Sequence, residues 1–137
     1  MADNSSGYNQ ATLFDPTGNG HNINLGSLIG YDQSGACCIN NKGQIVGYAY
    51  TFPRILHLIE TAVLFDATGN GNNIDLNTLI YPPSDWNLMR ATAINDNGWI
   101  VGYAKNPSGK EEAFLLVPVE VPDCSEQILG DLDRDCF

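Results

Sequence analysis

Ala11–Ile29 reads ATLFDPTGNGHNINLGSLI and Ala62–Ile80 reads AVLFDATGNGNNIDLNTLI; about two-thirds of the aligned positions are identical. A second match follows each. Ala36–Ala49, ACCINNKGQIVGYA, pairs with Ala91–Ala104, ATAINDNGWIVGYA, after a connection four residues longer in the second copy. Near the end, Glu112–Val117, EAFLLV, resembles a third copy of the opening strand. Self-similarity at a fixed period is the signature of a repeat architecture, in which each unit buries a face that it cannot cover alone. The chain therefore divides into a flexible start (1–10), two units (11–61 and 62–111), a closing or donor strand (112–118) and an acidic linker with a tail (119–137).

Within each unit, short apolar runs are bounded by turn-forming clusters, PTGNGHN or ATGNGNN and then NNKG or NDNG. Asn-Gly and related pairs supply the positive φ angles that tight hairpins need, so the runs between them read as strands. The expected strands are 11–15, 22–26, 36–40 and 44–50, their equivalents 62–66, 73–77, 91–95 and 99–104, and a ninth at 112–117. The fold class is all-β, with strands grouped four, four and one. With 137 residues, 43% apolar and 16% charged, the chain can build one ordinary core, and its 14 Gly and 7 Pro favour many short elements over a few long helices.

The net charge is -10, and Lys42, Arg54, Arg90, Lys105, Lys110 and Arg134 are scattered along the chain. A basic stripe for phosphate backbones is missing, so nucleic acid is not an expected partner. No apolar run approaches the roughly 18 residues of a membrane-spanning helix, so no membrane span is expected. The start, MADNSSGYNQ, lacks the basic and apolar regions of a signal peptide, so an extracellular form of this chain is expected to be processed or trimmed.

The stretch A-x-x-I-N-x-x-G-x-I-V-G is carried by Ala36, Ile39, Asn40, Gly43, Ile45, Val46 and Gly47, and again by Ala91, Ile94, Asn95, Gly98, Ile100, Val101 and Gly102. It resembles the repeat of the extracellular HAF repeat family. Ala62, Leu64 and Phe65, and then Ala113, Phe114 and Leu115, are similar to that family's H-A-F-L-W-like strand; Asp75, Leu76 and Leu79 are similar to its D-L-G-x-L segment. The match covers nearly all of 11–118. It departs where Thr61 or Glu112 replaces the His before the strand, and where the LFDxTGNG turn is longer. The resemblance implies two tandem four-stranded antiparallel β-propeller-like units plus one extra C-terminal strand, an extracellular location and no defined catalytic activity.

Candidate chemistry is sparse. The loops Asp15–Asn22 and Asp66–Asn73 place oxygen donors at alternate positions, as calcium loops do, yet side-chain-to-backbone bonds from Asp and Asn explain the same composition as hairpin turns. The tail G-D-x-D-x-D resembles the opening of a dockerin-type calcium repeat. Asp131, Asp133 and Asp135 would be its first ligands and calcium its cation, but the ligand at the twelfth position is missing. No other cofactor is expected. Cys124 and Cys136 bracket a loop that one disulfide could close, while Cys37 and Cys38 are adjacent on an expected strand and read as a bond or as small buried fillers. His21 and His57 sit in no recognisable catalytic motif, and the recurrence of Asp15 and Asp66 in equivalent turns favours structure over sugar cleavage, so the chain is not read as an enzyme. Asn4-Ser5-Ser6 is an acceptor sequon for glycosylation.

Where the copies differ, apolar residues collect: Phe52, Ile55, Leu56, Leu58 and Ile59 in the first, and Trp86, Leu88 and Met89 in the second. Such patches mark association surfaces or extend the core. Two units fall short of the three or more that repeat arrays usually need, and an edge strand offers free backbone groups to another chain. The expected function is that of a secreted structural subunit forming a homo-oligomer or polymer, by head-to-tail contact into a filament or matrix. The alternative is a module that binds a glycan or cell-surface protein through aromatic side chains such as Trp86, Trp99 and Tyr103.

Overall fold

The computed structural model describes residues 2–3, 8–51, 59–80 and 84–119. Its strands are β1 (Ala2–Asp3), β2 (Asn9–Leu13), β3 (Ile23–Gly26), β4 (Gln33–Ile39), β5 (Ile45–Thr51), β6 (Ile59–Phe65), β7 (Ile74–Asp75), β8 (Asn87–Ile94), β9 (Ile100–Lys105) and β10 (Glu111–Leu116). The chain is all-β and every strand pairing is antiparallel; among the described residues no helix is long and apolar enough to cross a membrane.

The hairpins form where an asparagine can close the turn. Asn40 Oδ1 accepts from the backbone N–H of Lys42 (3.0 Å) and Gln44 (2.9 Å), and Asn95 Oδ1 from Asn97 (3.0 Å) and Trp99 (2.9 Å). Asn106 repeats the device between β9 and β10, accepting from Ser108 (2.9 Å) and Lys110 (3.0 Å). One side chain thus satisfies two backbone donors that the turn would leave open.

Hydrogen bonding groups the strands three, four and three, as β1-β2-β3, β4-β5-β6-β7 and β10-β9-β8, which corrects the expected grouping of four, four and one. The reason is the phase of the repeat. Antiparallel neighbours are those that a connection folds back on each other, and β6 folds back on β5 across the point where the first sequence unit ends and the second begins. The central sheet therefore takes β4 and β5 from one copy and β6 and β7 from the next. Ala2–Asp3, in the stretch expected as a flexible start, pairs with β2. The expected strand 73–77 becomes the two-residue β7 followed by a 3-10 turn, Leu76–Leu79, because Asp75 caps that turn by accepting from the Asn77 N–H.

The three sheets lie in layers, with the central one covered on both faces. Ile45, Ala49, Val63 and Phe65 of the central sheet pack with Ala11, Leu13, Ile23 and Leu25 of the first. Val46, Ala62, Leu64 and Leu76, on the opposite face, pack with Leu88, Ala91, Ile94, Ile100 and Ala104 of the third. Burial on both sides explains why β5 is nearly continuous in buried residues, whereas β9, with one face outward, alternates.

Candidate association surface

The two interior seams are built from equivalent residues, so the repeat predicts what each outward face should be. On the central sheet, the face turned to the third carries Val46 and Ala62, both 0% exposed, with Leu64 and Tyr48 beside them. The same positions one repeat later are Val101, Ala113, Leu115 and Tyr103. They lie on β9 and β10 in one cross-strand patch, with Ala113 opposite Tyr103 and Leu115 opposite Val101. No described residue covers them: Val101 is 40% exposed, and Tyr103 and Leu115 are each 55% exposed. Tyr48 shows what that covering looks like. The Arg90 guanidinium lies 3.9 Å above its ring and is held by Glu60 at 2.6 Å, so a cation from the third sheet lids an aromatic of the central one.

Polar staples accompany the apolar seam. Asn41 meets Asp96 twice, through its backbone N–H (2.8 Å) and its Nδ2 (2.7 Å), and Asn40 Nδ2 donates to the Asn95 carbonyl at 2.9 Å. Asn77 accepts from the Leu88 N–H (2.7 Å) and donates to the Leu88 carbonyl (3.0 Å), anchoring the edge of β8. Asn95 is the equivalent of Asn40, and it is exposed, with no partner for its Nδ2 among the described residues.

The expected site residues separate on this frame. Leu88 is 4% exposed and so belongs to the interior rather than to an association surface, while Trp86 is half-buried and packs against the seam between the central and third sheets. The alternation of β8, interrupted by a bulge at Met89, turns Leu88 inward. Met89 is half-buried, and Ile59 is 46% exposed at the start of β6. Phe52, Ile55, Leu56, Leu58, Asn4, Cys124, Cys136, Asp131, Asp133 and Asp135 lie outside the described residues. The signal for the uncovered face was in the sequence, in the four positions that recur between β5–β6 and β9–β10, but reading it required the phase of the sheets.

Asp15 and Asp66 act within their own loops. Asp66 accepts from the Thr68 N–H (2.9 Å), the Thr68 hydroxyl (2.5 Å) and the Asn72 N–H (3.2 Å); Asp15 repeats the set with Thr17 and His21. Asn73 and Asn22 close each loop by accepting the Asp N–H, at 2.7 and 2.9 Å. Among the described residues no three His, Cys, Asp or Glu side chains converge as a metal site. Cys37 and Cys38 are free thiols, and a bulge at Cys37 breaks the alternation that would send adjacent side chains to opposite faces.

These hydrogen bonds give the loops a pH signature. Bonds from Thr17 and from Thr68 hold the carboxyls of Asp15 and Asp66 below the usual 3.8, as the Asn41 backbone N–H holds Asp96. A carboxylate with a lowered folded pKa stabilises the fold above its unfolded value, and that contribution disappears as pH falls through the folded one. Denaturant midpoints are expected to hold steady from pH 7 to about 5 and to fall below about 4, less steeply in Asp66→Asn. An unchanged slope in that variant would remove Asp66 from the account.

Besides a cleft of about 240 Å³ lined by Leu13, Leu25, Cys37 and Cys38, two others lie among the described residues. One of about 380 Å³ is lined by Ser27, Tyr31, Asn73, Asp75 and Thr78, but its polar atoms are largely bonded within the chain: Asn73 to Leu25 and Ser27, Ser27 to Gln33, Thr78 to Asp75. The other, about 340 Å³ between the central and third sheets, is mainly apolar, with Leu64, Ile94, Ile100 and Leu116 in its wall. Compared with protein-family models, curated proteins and solved structures, the chain finds no match.

Proposed function

We propose that this chain is a non-catalytic, secreted structural module of propeller-like blades that works by associating with copies of itself in an extracellular assembly. The blade reading rests on the repeat and its resemblance to HAF units. The association reading rests on one observation: Val101, Tyr103, Ala113 and Leu115 stand exposed where their equivalents Val46, Tyr48, Ala62 and Leu64 line an interior seam. An exposed apolar patch of this kind has a favourable partner in another apolar face. Sedimentation of the purified protein tests the reading: association should rise with concentration, and a single-chain species at the highest concentration attainable sinks it.

A second reading is favoured by Trp99, 45% exposed just before β9, with Tyr103 exposed four residues on. Exposed aromatic rings suit the apolar face of a sugar, and would make the module a glycan binder. Saturable retention on a glycan array, lost in Trp99→Ala while sedimentation is unchanged, would support this reading over the first.

A further inference from the structure

We propose that two copies pair through the outer face of the third sheet about a two-fold axis, giving a closed dimer; this rests on the self-association reading and fixes its symmetry. The stack has two outward faces, and they differ in chemistry. On the first sheet, Gln10, Thr12 and Asn24 stand where the second copy has Thr61, Val63 and Asp75. Val63 is 0% exposed in the interior seam, so its replacement by Thr12 puts a hydroxyl where a seam would need a hydrocarbon. Asn24 Nδ2 donates to Gln10 Oε1 at 2.9 Å, closing a polar pair on that face. Phe14, 59% exposed, stands just past the end of β2 beside the glycine loop. A polar outer face is how terminal units of repeat arrays end a stack.

The third sheet ends differently. On β9 and β10 its outer face is apolar from the turn end inward, through Val101 and Leu115 and then Tyr103 and Ala113, and becomes charged at Lys105 opposite Glu111. Head-to-tail stacking would press this face on Thr12 and Asn24, whose polar groups are already bonded to Gln10, so hydrocarbon would meet a polar surface that gains nothing by leaving water. Docking the face on its own copy buries hydrocarbon against hydrocarbon. A two-fold axis also carries the two Lys105–Glu111 pairs to opposite rims, where charge stays hydrated. At the margin, Asn95 Nδ2 is available to a carbonyl of the partner, as Asn40 Nδ2 is to Asn95. A surface that binds its own copy is isologous and closes at two chains, whereas a heterologous one continues as a filament.

Light scattering over a concentration series, with circular dichroism as the check on folding, tests the proposal. The molar mass should rise to that of two chains and stay there. Val101→Glu and Leu115→Glu should each halve it with an unchanged spectrum, and Thr12→Glu should leave the dimer intact. Mass that climbs past two chains without a plateau, and that Thr12→Glu lowers as much as Val101→Glu does, overturns the two-fold pairing while leaving self-association standing. Single-chain mass at every concentration overturns both. A dimer that survives both glutamate variants places the interface elsewhere and overturns the assignment of this face.

Discussion

Replacing Gly102 or Gly47 by alanine is expected to cost about 3 kcal/mol or more, at the upper end of what overpacking usually costs. The two glycines are equivalent in the repeat, and each faces a bulged neighbouring strand. A Cβ at Gly102 would sit 1.9 Å from the Arg90 carbonyl oxygen and 2.9 Å from the Ala91 Cα; at Gly47 it would sit 2.0 Å from the Gly35 carbonyl oxygen. Those obstacles are backbone atoms, so no side-chain rotation relieves them, and β8 or β4 must move off its partner. Gly18 is the control. Its φ is +74° and nothing lies within 4 Å of the position a Cβ would take, so Gly18→Ala pays only for the left-handed backbone, about 1–2 kcal/mol. Urea midpoints would show the difference; if Gly102→Ala and Gly18→Ala unfolded together, close approach would not be what selects glycine in the I-V-G stretch. Against a typical total of about 5–15 kcal/mol, the loss at Gly102 is enough to populate unfolded chains.

Leu76→Ala is expected to lose about 3 kcal/mol, within the usual 2–5 kcal/mol for truncating a buried leucine. Leu76 opens the 3-10 turn and is 0% exposed, held among Val46, Ala62, Leu88 and Ile100. Its surroundings are strands pinned by Asn77 to Leu88 and by Asn41 to Asp96, so the walls have little freedom to collapse on the space left behind. Leu79, three residues on in the same turn, is 48% exposed, and Leu79→Ala should change stability by less than about 0.5 kcal/mol. Thermal and urea unfolding of the pair would separate burial from turn propensity; equal losses would mean that the turn, and not the seam, depends on these leucines.

Strand positions were legible because the asparagine turns punctuate them: 36–40, 44–50, 91–95, 99–104 and 112–117 all fall on observed strands within a few residues. Three things were not. Where a sheet begins cannot be read from a repeat, since any cut through a periodic sequence gives the same pattern, and the identity at Ala11 and Ala62 suggested a boundary that β6 crosses. Bulges leave no mark on composition, so Cys37 looked like an ordinary strand residue and the bulge at Met89 went unread. Trp86 and Leu88 drew attention because the first copy has no counterpart for them, yet a segment unique to one copy can fill a core as well as cover a surface. Here Leu88 is buried in the seam between the central and third sheets and Trp86 packs against it. The candidate surface was legible only after the phase of the sheets was known, because Val101 and Val46 are the same letter in the same motif.

The central sheet joins β4 and β5 of one copy to β6 and β7 of the next, and this governs the order in which the chain can organise as it emerges from the ribosome. The hairpin of β4 and β5 has no third strand until residue 65 is synthesised, and its second face stays bare until β8 and β9 arrive, near residue 105. Contacts across that separation close large loops before they return any stability, which slows folding and prolongs exposure of apolar strands. Neither sequence unit is thus an independent folding unit. A break at the seam between them would leave two fragments, each holding half of the sheet that the other needs.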